Sequence, residues 1–470
     1  MSRALLISLV STVYVVSLGC GRRPPEPTPT REPIQGGQIR IVAGDPATRR
    51  ALLLSAVARP LLSKDLALES APPDAAGCHR FVIASGATFP NGTPVRPSDV
   101  IDAWEAGLGD PGREHRWLLE PLLDRGGDRR SLGDGARADG RTLVLCPHRP
   151  TPDLPARLGH PDLWLWRVSP STGYREGPGP FAESSSGALE PNTYFGGSGP
   201  YLDSIEWLPR GNDDASLVFE LDQADLGVVY GRDADGFGES AAVERLPAWD
   251  RTYYLWMQPH ARWINDPLFR RWIADRIDRS QAIRYLFAGR GSPAYSLRSV
   301  AAETPGWDPV EHRPISGSSV PRVELTHDQG DPHARALALR IQATLRGAGV
   351  EIRLDPGPHN EIDARLARGE GQMVLRGHRA RTTDPVLALA AELRSLPGAE
   401  AALSILERAV ERSDPDDRRR AAEYAELAVL LDARLVPLVH LHAWLATRPG
   451  LRVPLDRDGR PLLGRSWWTR

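Results

Sequence analysis

The stretch LRGHRARTTDP (375–385) sets Arg376, His378, Arg379 and Arg381 close together, ahead of an Asp-Pro turn at Asp384-Pro385. A guanidinium offers a planar fork of donors that suits a carboxylate or a phosphate. The stretch therefore either faces water as a basic surface or meets a ligand of opposite charge. His440 and His442 alternate along a strand-like segment and so share a face. They could hold a metal or form a plain structural pair. Cys78 and Cys146 each have a histidine close by, His79 and His148. That leaves a disulfide, free thiols and a zinc site as readings. No nucleophile elbow, His-Glu-x-x-His, phosphate loop or dinucleotide fingerprint is present. Carboxylates abound, but no motif places a pair. The chain is not expected to be an enzyme, and no catalytic residue, metal or cofactor is assigned.

The protein around these residues has 470 residues, 41% hydrophobic and 25% charged, with a formal net charge of −2. Such a chain can bury large cores, and it lacks the basic excess of a nucleic-acid binder. Lys64 is the single lysine, so nearly all the basic charge is arginine. This compositional bias lowers the weight of any one arginine.

The N-terminus resembles an export signal. Arg3 precedes the apolar run ALLISLVSTVYVVSLGC, which ends at Cys20. A positive start, a short apolar core and small residues before the cut are the features of a secretory signal. The run is shorter than the ~20 residues that span a bilayer. The sequence Ser17-Leu18-Gly19-Cys20 resembles a bacterial lipoprotein signal, which implies a lipidated Cys20. The usual pattern has leucine where Ser17 stands. The following GRRPPEPTPTREPIQGG has few apolar side chains and many prolines, as a solvated spacer does. In an oxidising compartment a pair of cysteines favours a disulfide. Cys78 opens CHRFVIAS and Cys146 closes RTLVLC, two strand-like runs whose ends would meet as antiparallel neighbours.

The elements alternate along the body. Strands are expected at 38–44, 81–85, 201–211, 217–222 and 251–258. Helices are expected at 47–62 and 97–108, the second capped by Ser98. A single helix is expected over 266–289, with Pro267 in its first turn. VELTHD, the helix from Asp331 to Gly347 or Gly349, and VEIRLD form a β–α–β unit. Helices at 398–412 and 415–433 lead to a last strand, RLVPLVHLHAWLATR. The alternation argues an α/β body with mostly parallel pairing.

Four stretches resemble the extracellular solute-binding proteins of the peptide/nickel ABC-transporter type, family 5. They are FVIASGATFPNGTPVRPSDVIDAW, GSGPYLDSIEW, YYLWMQPHARWINDPLFRRWIADRIDRSQAIRYLFAGRGSPA and YAELAVLLDARLVPLVHLH, in the family's order. The resemblance implies a two-lobed periplasmic-binding-protein fold of type II with a ligand enclosed between α/β lobes. The region before CHRFVIAS and residues 105–140 are short, which implies a reduced extra subdomain in the first lobe. Peptide-binding members keep an aspartate three residues before the Asp-Pro aspartate, where it pairs with a ligand α-amine. Aligned on Asp384, that place holds Arg381, and His378 falls where a tryptophan often packs on the ligand. An arginine would repel an ammonium. The resemblance thus implies an anionic or neutral ligand group there. Tyr254 and Trp256, at the expected lobe crossing, are further candidates, and Tyr253 points to the opposite face.

These readings give a signal peptide over 1–19 and a lipidated tether over 20–36. Lobe I would occupy 37–250, lobe II 251–440, and 441–470 would return to lobe I. The expected function is a lipid-anchored substrate-binding protein of an ABC importer, periplasmic or at the cell surface. It would deliver a peptide-like or other small solute to a permease. A transport-inactive sensor or surface interaction protein of the same fold is the alternative.

Overall fold

The computed structural model describes residues 33–469, apart from 44, 64, 110–114, 125–130, 170, 197–198, 209–214, 238–240, 298–319, 383 and 457–458. The expected signal peptide, Cys20 and most of the tether lie outside the described residues.

Two large sheets and one small one organise the chain. The lobe I sheet runs in the order 242–245, 443–447, 226–230, 38–43, 204–207, 189–191, 181–183. The lobe II sheet runs 291–293, 435–441, 251–257, 373–378, 322–328, 351–357. A four-stranded antiparallel sheet, 67–71, 79–83, 142–145 and 136–139, forms the extra subdomain. There His79 faces Leu145 across the ladder, and Cys78 is joined to Cys146 by a disulfide with Cα atoms 4.1 Å apart.

The chain crosses between lobes twice, at adjacent points. Residues 246–250 lead from lobe I into the strand Arg251–Met257, and His442 separates the strand Leu435–Leu441 from Ala443–Thr447. The crossings are tied to each other: Leu246 N–H donates to Ala443 O at 2.9 Å, and Ala443 N–H to Asp250 at 3.0 Å. Every residue of RTYYLWM is buried, as a central strand covered on both faces requires. One apolar core runs from Ile39, Ile41 and Val228 through Tyr253 and Leu255 to Val323, Leu337 and Ile341. A second joins the subdomain (Phe81, Trp104, Leu143) to Tyr254, Trp256 and the helices of 385–430.

Asp-Pro is this chain's recurrent helix start. Asp266, Asp331, Asp384 and Asp414 each accept backbone N–H bonds from the first turn, with proline at the first helical position. Asp45, before Pro46, does the same through Thr48 N–H at 3.0 Å.

Several sequence expectations need correction. Pairing is mixed: 38–43 and 322–328 are parallel to their neighbours, but the crossing strand 251–257 is antiparallel to both of its own. A chain that leaves a lobe and returns beside its exit must pair antiparallel. The helix at 97–108 is capped at Arg96, because Pro97 takes the first position and Asp99 accepts from Arg96 N–H at 2.7 Å. Residues 217–222 are no strand: Ala215–Glu220 is helix, Leu217 and Leu221 stay exposed, and the buried strand is the next run, Leu226–Tyr230. Such short apolar runs do not separate helix from strand by pattern. The helix over 266–289 is two, Pro267–Arg276 and Arg279–Leu286, with Asp278 capping the second. The last strand is also two, because His442 carries the chain from one lobe to the other.

Candidate functional site

The site lies where the lobes meet, beside the first crossing strand. Three elements deliver its charges. The lobe I strand Gln38–Ala43 ends just before Asp45, at the start of the helix Pro46–Val57. The lobe II strand Arg322–Asp328 ends just before Asp331, the cap of the helix Pro332–Gly347. Arg251 opens the crossing strand between them. Strand C-terminal ends facing helix N-termini are the usual ligand crevice of α/β sheets.

Arg251 is bound to both lobes at once. Its Nη2 lies 2.7 Å from Asp45 Oδ2, and its Nη1 lies 3.2 Å from Asp331 Oδ2. Side-chain exposure is 8% for Arg251, 8% for Asp45 and 11% for Asp331, so all three charges are out of bulk water. Hydrogen bonds complete the arrangement. Thr48 Oγ1 donates to Asp45 at 2.7 Å and lies 3.2 Å from Tyr230 OH. Tyr253 OH donates to Asp331 at 2.8 Å, and Asp331 Oδ1 accepts from His333 and Ala334 N–H. Arg251 also lies over the Tyr230 ring at 4.9 Å.

Burial alone would raise the pKa of Asp45, but Arg251 and the Thr48 hydrogen bonds outweigh it and hold it below the ordinary value. The same contest leaves Asp331 far below the carboxylate range, with His333, Arg251 and Tyr253 against burial. Burial would lower Arg251, yet Asp45 leads the groups that keep it well above its usual value. All three groups are therefore ionised, and the clamp carries one excess negative charge.

Gly377 makes room for this guanidinium. It faces Tyr253 in the ladder, and a Cβ there would sit 2.8 Å from Arg251 Cδ and 3.1 Å from Tyr253 Cε1. Just beyond it, at the end of the strand Met373–His378, Arg379 turns toward lobe I and lies 4.5 Å over the ring of Trp249. Asp45, Tyr230, Arg251 and Arg381 are its charged and phenolic surroundings.

The sequence candidates fall into three places. Arg381 bonds Asp162 Oδ2 at 2.9 Å, tying lobe II to the short helical turn Pro161–Leu163, and its carbonyl accepts from Arg460 at 3.0 Å. His378 and Tyr254 both bond Glu392, His378 at 2.7 Å. Burial would raise Glu392, but Arg376, His378 and Tyr254 hold its pKa far down. Trp256 is fully buried in the same apolar cluster as Tyr254. Asp384 caps the helix Pro385–Leu393 and pairs with Arg418, Nη2 to Oδ2 at 2.7 Å. As the alternation implied, Tyr253 faces the opposite side, and it is that side which meets the interlobe clamp. His440 bonds Thr252 at 2.7 Å inside lobe II, while His442 sits at the crossing. Among the described residues no group of three or more His, Cys, Asp and Glu side chains could hold a metal ion.

Sequence reasoning did not single out Asp45, Arg251, Asp331 or Trp249. The available signal was the repeated strand–Asp-Pro–helix pattern at Asp45 and Asp331, which marks two strand ends of the same kind. Their shared partner, an arginine opening the crossing strand, has no spacing signature.

The fold and the interlobe site define a two-lobed solute-binding protein. Residues 63–395 match the family model "Bacterial extracellular solute-binding proteins, family 5 Middle", and the chain belongs to that family. Solved structures share the fold. NikA from Brucella suis, in complex with Fe(III)-EDTA, is 15% identical with a TM-score of 0.72, covering 92% of this chain and 100% of its own. The oligopeptide-binding protein AppA from Bacillus subtilis, in complex with a nonapeptide, is 15% identical at TM-score 0.73, covering 93% and 100%. AgaA from A. tumefaciens R10, in complex with agropinic acid, is 17% identical at TM-score 0.72, covering 92% and 99%. Comparison with curated proteins gave no match. Family and fold are those of substrate-binding proteins rather than enzymes. No described helix is long and apolar enough to cross a membrane.

Proposed function

We propose that this chain is the substrate-binding lipoprotein of an ABC importer, anchored through Cys20, which encloses a small solute between its lobes and hands it to a permease. The observation that carries the reading is the Asp45–Arg251–Asp331 clamp. One guanidinium on the crossing strand joins the ligand-facing ends of both lobes, so the closed arrangement has its own electrostatic lock. Closing and opening about such crossings is the hinge motion by which binding is signalled to a partner. The relatives' ligands, a metal chelate, a peptide and agropinic acid, bracket the size and polarity of solute such a cleft takes. The leader, Cys20 and the proline-rich tether support delivery at a membrane surface.

Two measurements test it. Fatty-acid labelling of the full chain in its host should mark the protein and be lost in Cys20→Ser. Isothermal titration of the secreted Cys20→Ser chain against peptides, opine-like acids and metal chelates should find one saturable site per chain. Binding of none of these, with unchanged scattering profiles, would refute a transport receptor.

A further inference from the structure

We propose that Arg379, which lies over the ring of Trp249, is the charge-reading residue of the site, and that the enclosed solute presents a carboxylate or phosphate to it. The inference rests on the solute-receptor reading and adds the ligand's chemical class.

The arginines of the basic stretch have different employments. Arg376 bonds Ser395 and pairs with Asp363 at 3.2 Å. Arg381 is committed to Asp162. Arg379 alone of the three has no hydrogen bond or ion pair among the described residues; its guanidinium lies over the ring of Trp249. Its side chain is only partly buried, and yet burial pulls its pKa down. Trp249 belongs to the crossing segment 246–250, and Gly377, two residues before Arg379, abuts Arg251, so the guanidinium sits where the lobes meet.

A half-buried guanidinium whose donors meet no acceptor among the described residues has its hydrogen-bonding capacity free for a ligand. The clamp's excess negative charge lies nearby, but Asp45 spends its oxygens on Arg251 and Thr48. The guanidinium carbon lies 4.5 Å from the Trp249 ring centre, and a guanidinium resting on an aromatic face keeps its N–H donors for a planar anion.

The test compares thermal unfolding of the secreted chain and its Arg379→Met variant, with Arg322→Gln as a charge-matched control on an exposed arginine. The probes are glycylglycine, succinate and glucose 6-phosphate, each against its uncharged analogue (glycylglycinamide, succinamide, glucose), and inorganic phosphate alone. We expect at least one acidic probe to raise the wild-type midpoint while its neutral analogue does not. The carboxylate and phosphate arms identify which anion is read. Arg379→Met should lose that rise completely and, without probe, unfold at or near the wild-type midpoint, because it removes a half-buried charge that has no hydrogen bond or ion pair among the described residues. Arg322→Gln should keep the rise. A variant that melts well below wild type, an equal rise in the variant, or no preference of the wild type for acid over neutral probe would each overturn the assignment. A neutral solute that binds would do so while leaving the receptor reading intact.

Discussion

Arg251 and Asp45 meet at 2.7 Å across the lobe boundary, both almost wholly buried. A buried pair is weak evidence for net stability, but removing one partner strands the other. Arg251→Met removes the guanidinium that Asp45 and Asp331 share. The expected loss is about 3–5 kcal/mol in denaturant unfolding, with weaker lobe closure visible as a larger radius of gyration in scattering.

The carboxylates of the clamp make stability fall in acid. Asp45 and Asp331 have folded pKa values below the unfolded value of 3.8, so the stability they contribute is present above that value and lost as pH drops through it. Asp331→Asn keeps an oxygen to cap the helix but removes the charge. The wild-type unfolding free energy should therefore decline more steeply below about pH 4 than that of the variant, measured by urea titrations across the range.

Gly377→Ala pushes a methyl into Arg251. With the new Cβ 2.8 Å from Arg251 Cδ, the guanidinium must move away from Asp45 or Asp331. Overpacking of this kind costs about 1–3 kcal/mol, above the ~0.4–1 kcal/mol that losing a glycine returns through the unfolded chain. Net destabilisation is expected. An unchanged midpoint would mean that Arg251 is not held in place.

Much of this arrangement was legible in the sequence, and its limits have physical causes. The β–α–β unit over 322–357, the crossing strand and the opposed faces of Tyr253 and Tyr254 follow from periodicity and caps. The basic stretch was visible as a cluster, but which arginine is spoken for depends on partners far away in sequence: Asp162 lies 219 residues from Arg381. His378 was singled out from the resemblance and Tyr254 from its place at the crossing; their shared partner, Glu392, sits in a helix that the pattern did not reveal. The Asp-Pro at 384 read as a turn, and its aspartate is a helix cap held by Arg418.

Arg381→Gln separates a latch from a receptor. The Arg381 side chain is 39% exposed, and its buried partner Asp162 keeps Arg50 at 3.8 Å, so its removal should cost about 1 kcal/mol of stability. Bound solute should leave faster in stopped-flow measurements, with affinity reduced far less than in Arg379→Met.

Reduction should loosen the subdomain before the lobes. Cys78 and Cys146 close a loop of sequence separation 68, and loops of that size are stabilised by about 2–4 kcal/mol. In the Cys78→Ser/Cys146→Ser variant, hydrogen exchange should quicken first in strands 79–83 and 142–145.

The most direct measurement is native mass spectrometry of the secreted Cys20→Ser chain, purified gently from its own host. The account predicts one bound solute per chain, released on denaturation and carrying a carboxylate or phosphate. A chain that is empty and gains no stability from any acidic, neutral or cationic solute would contradict it.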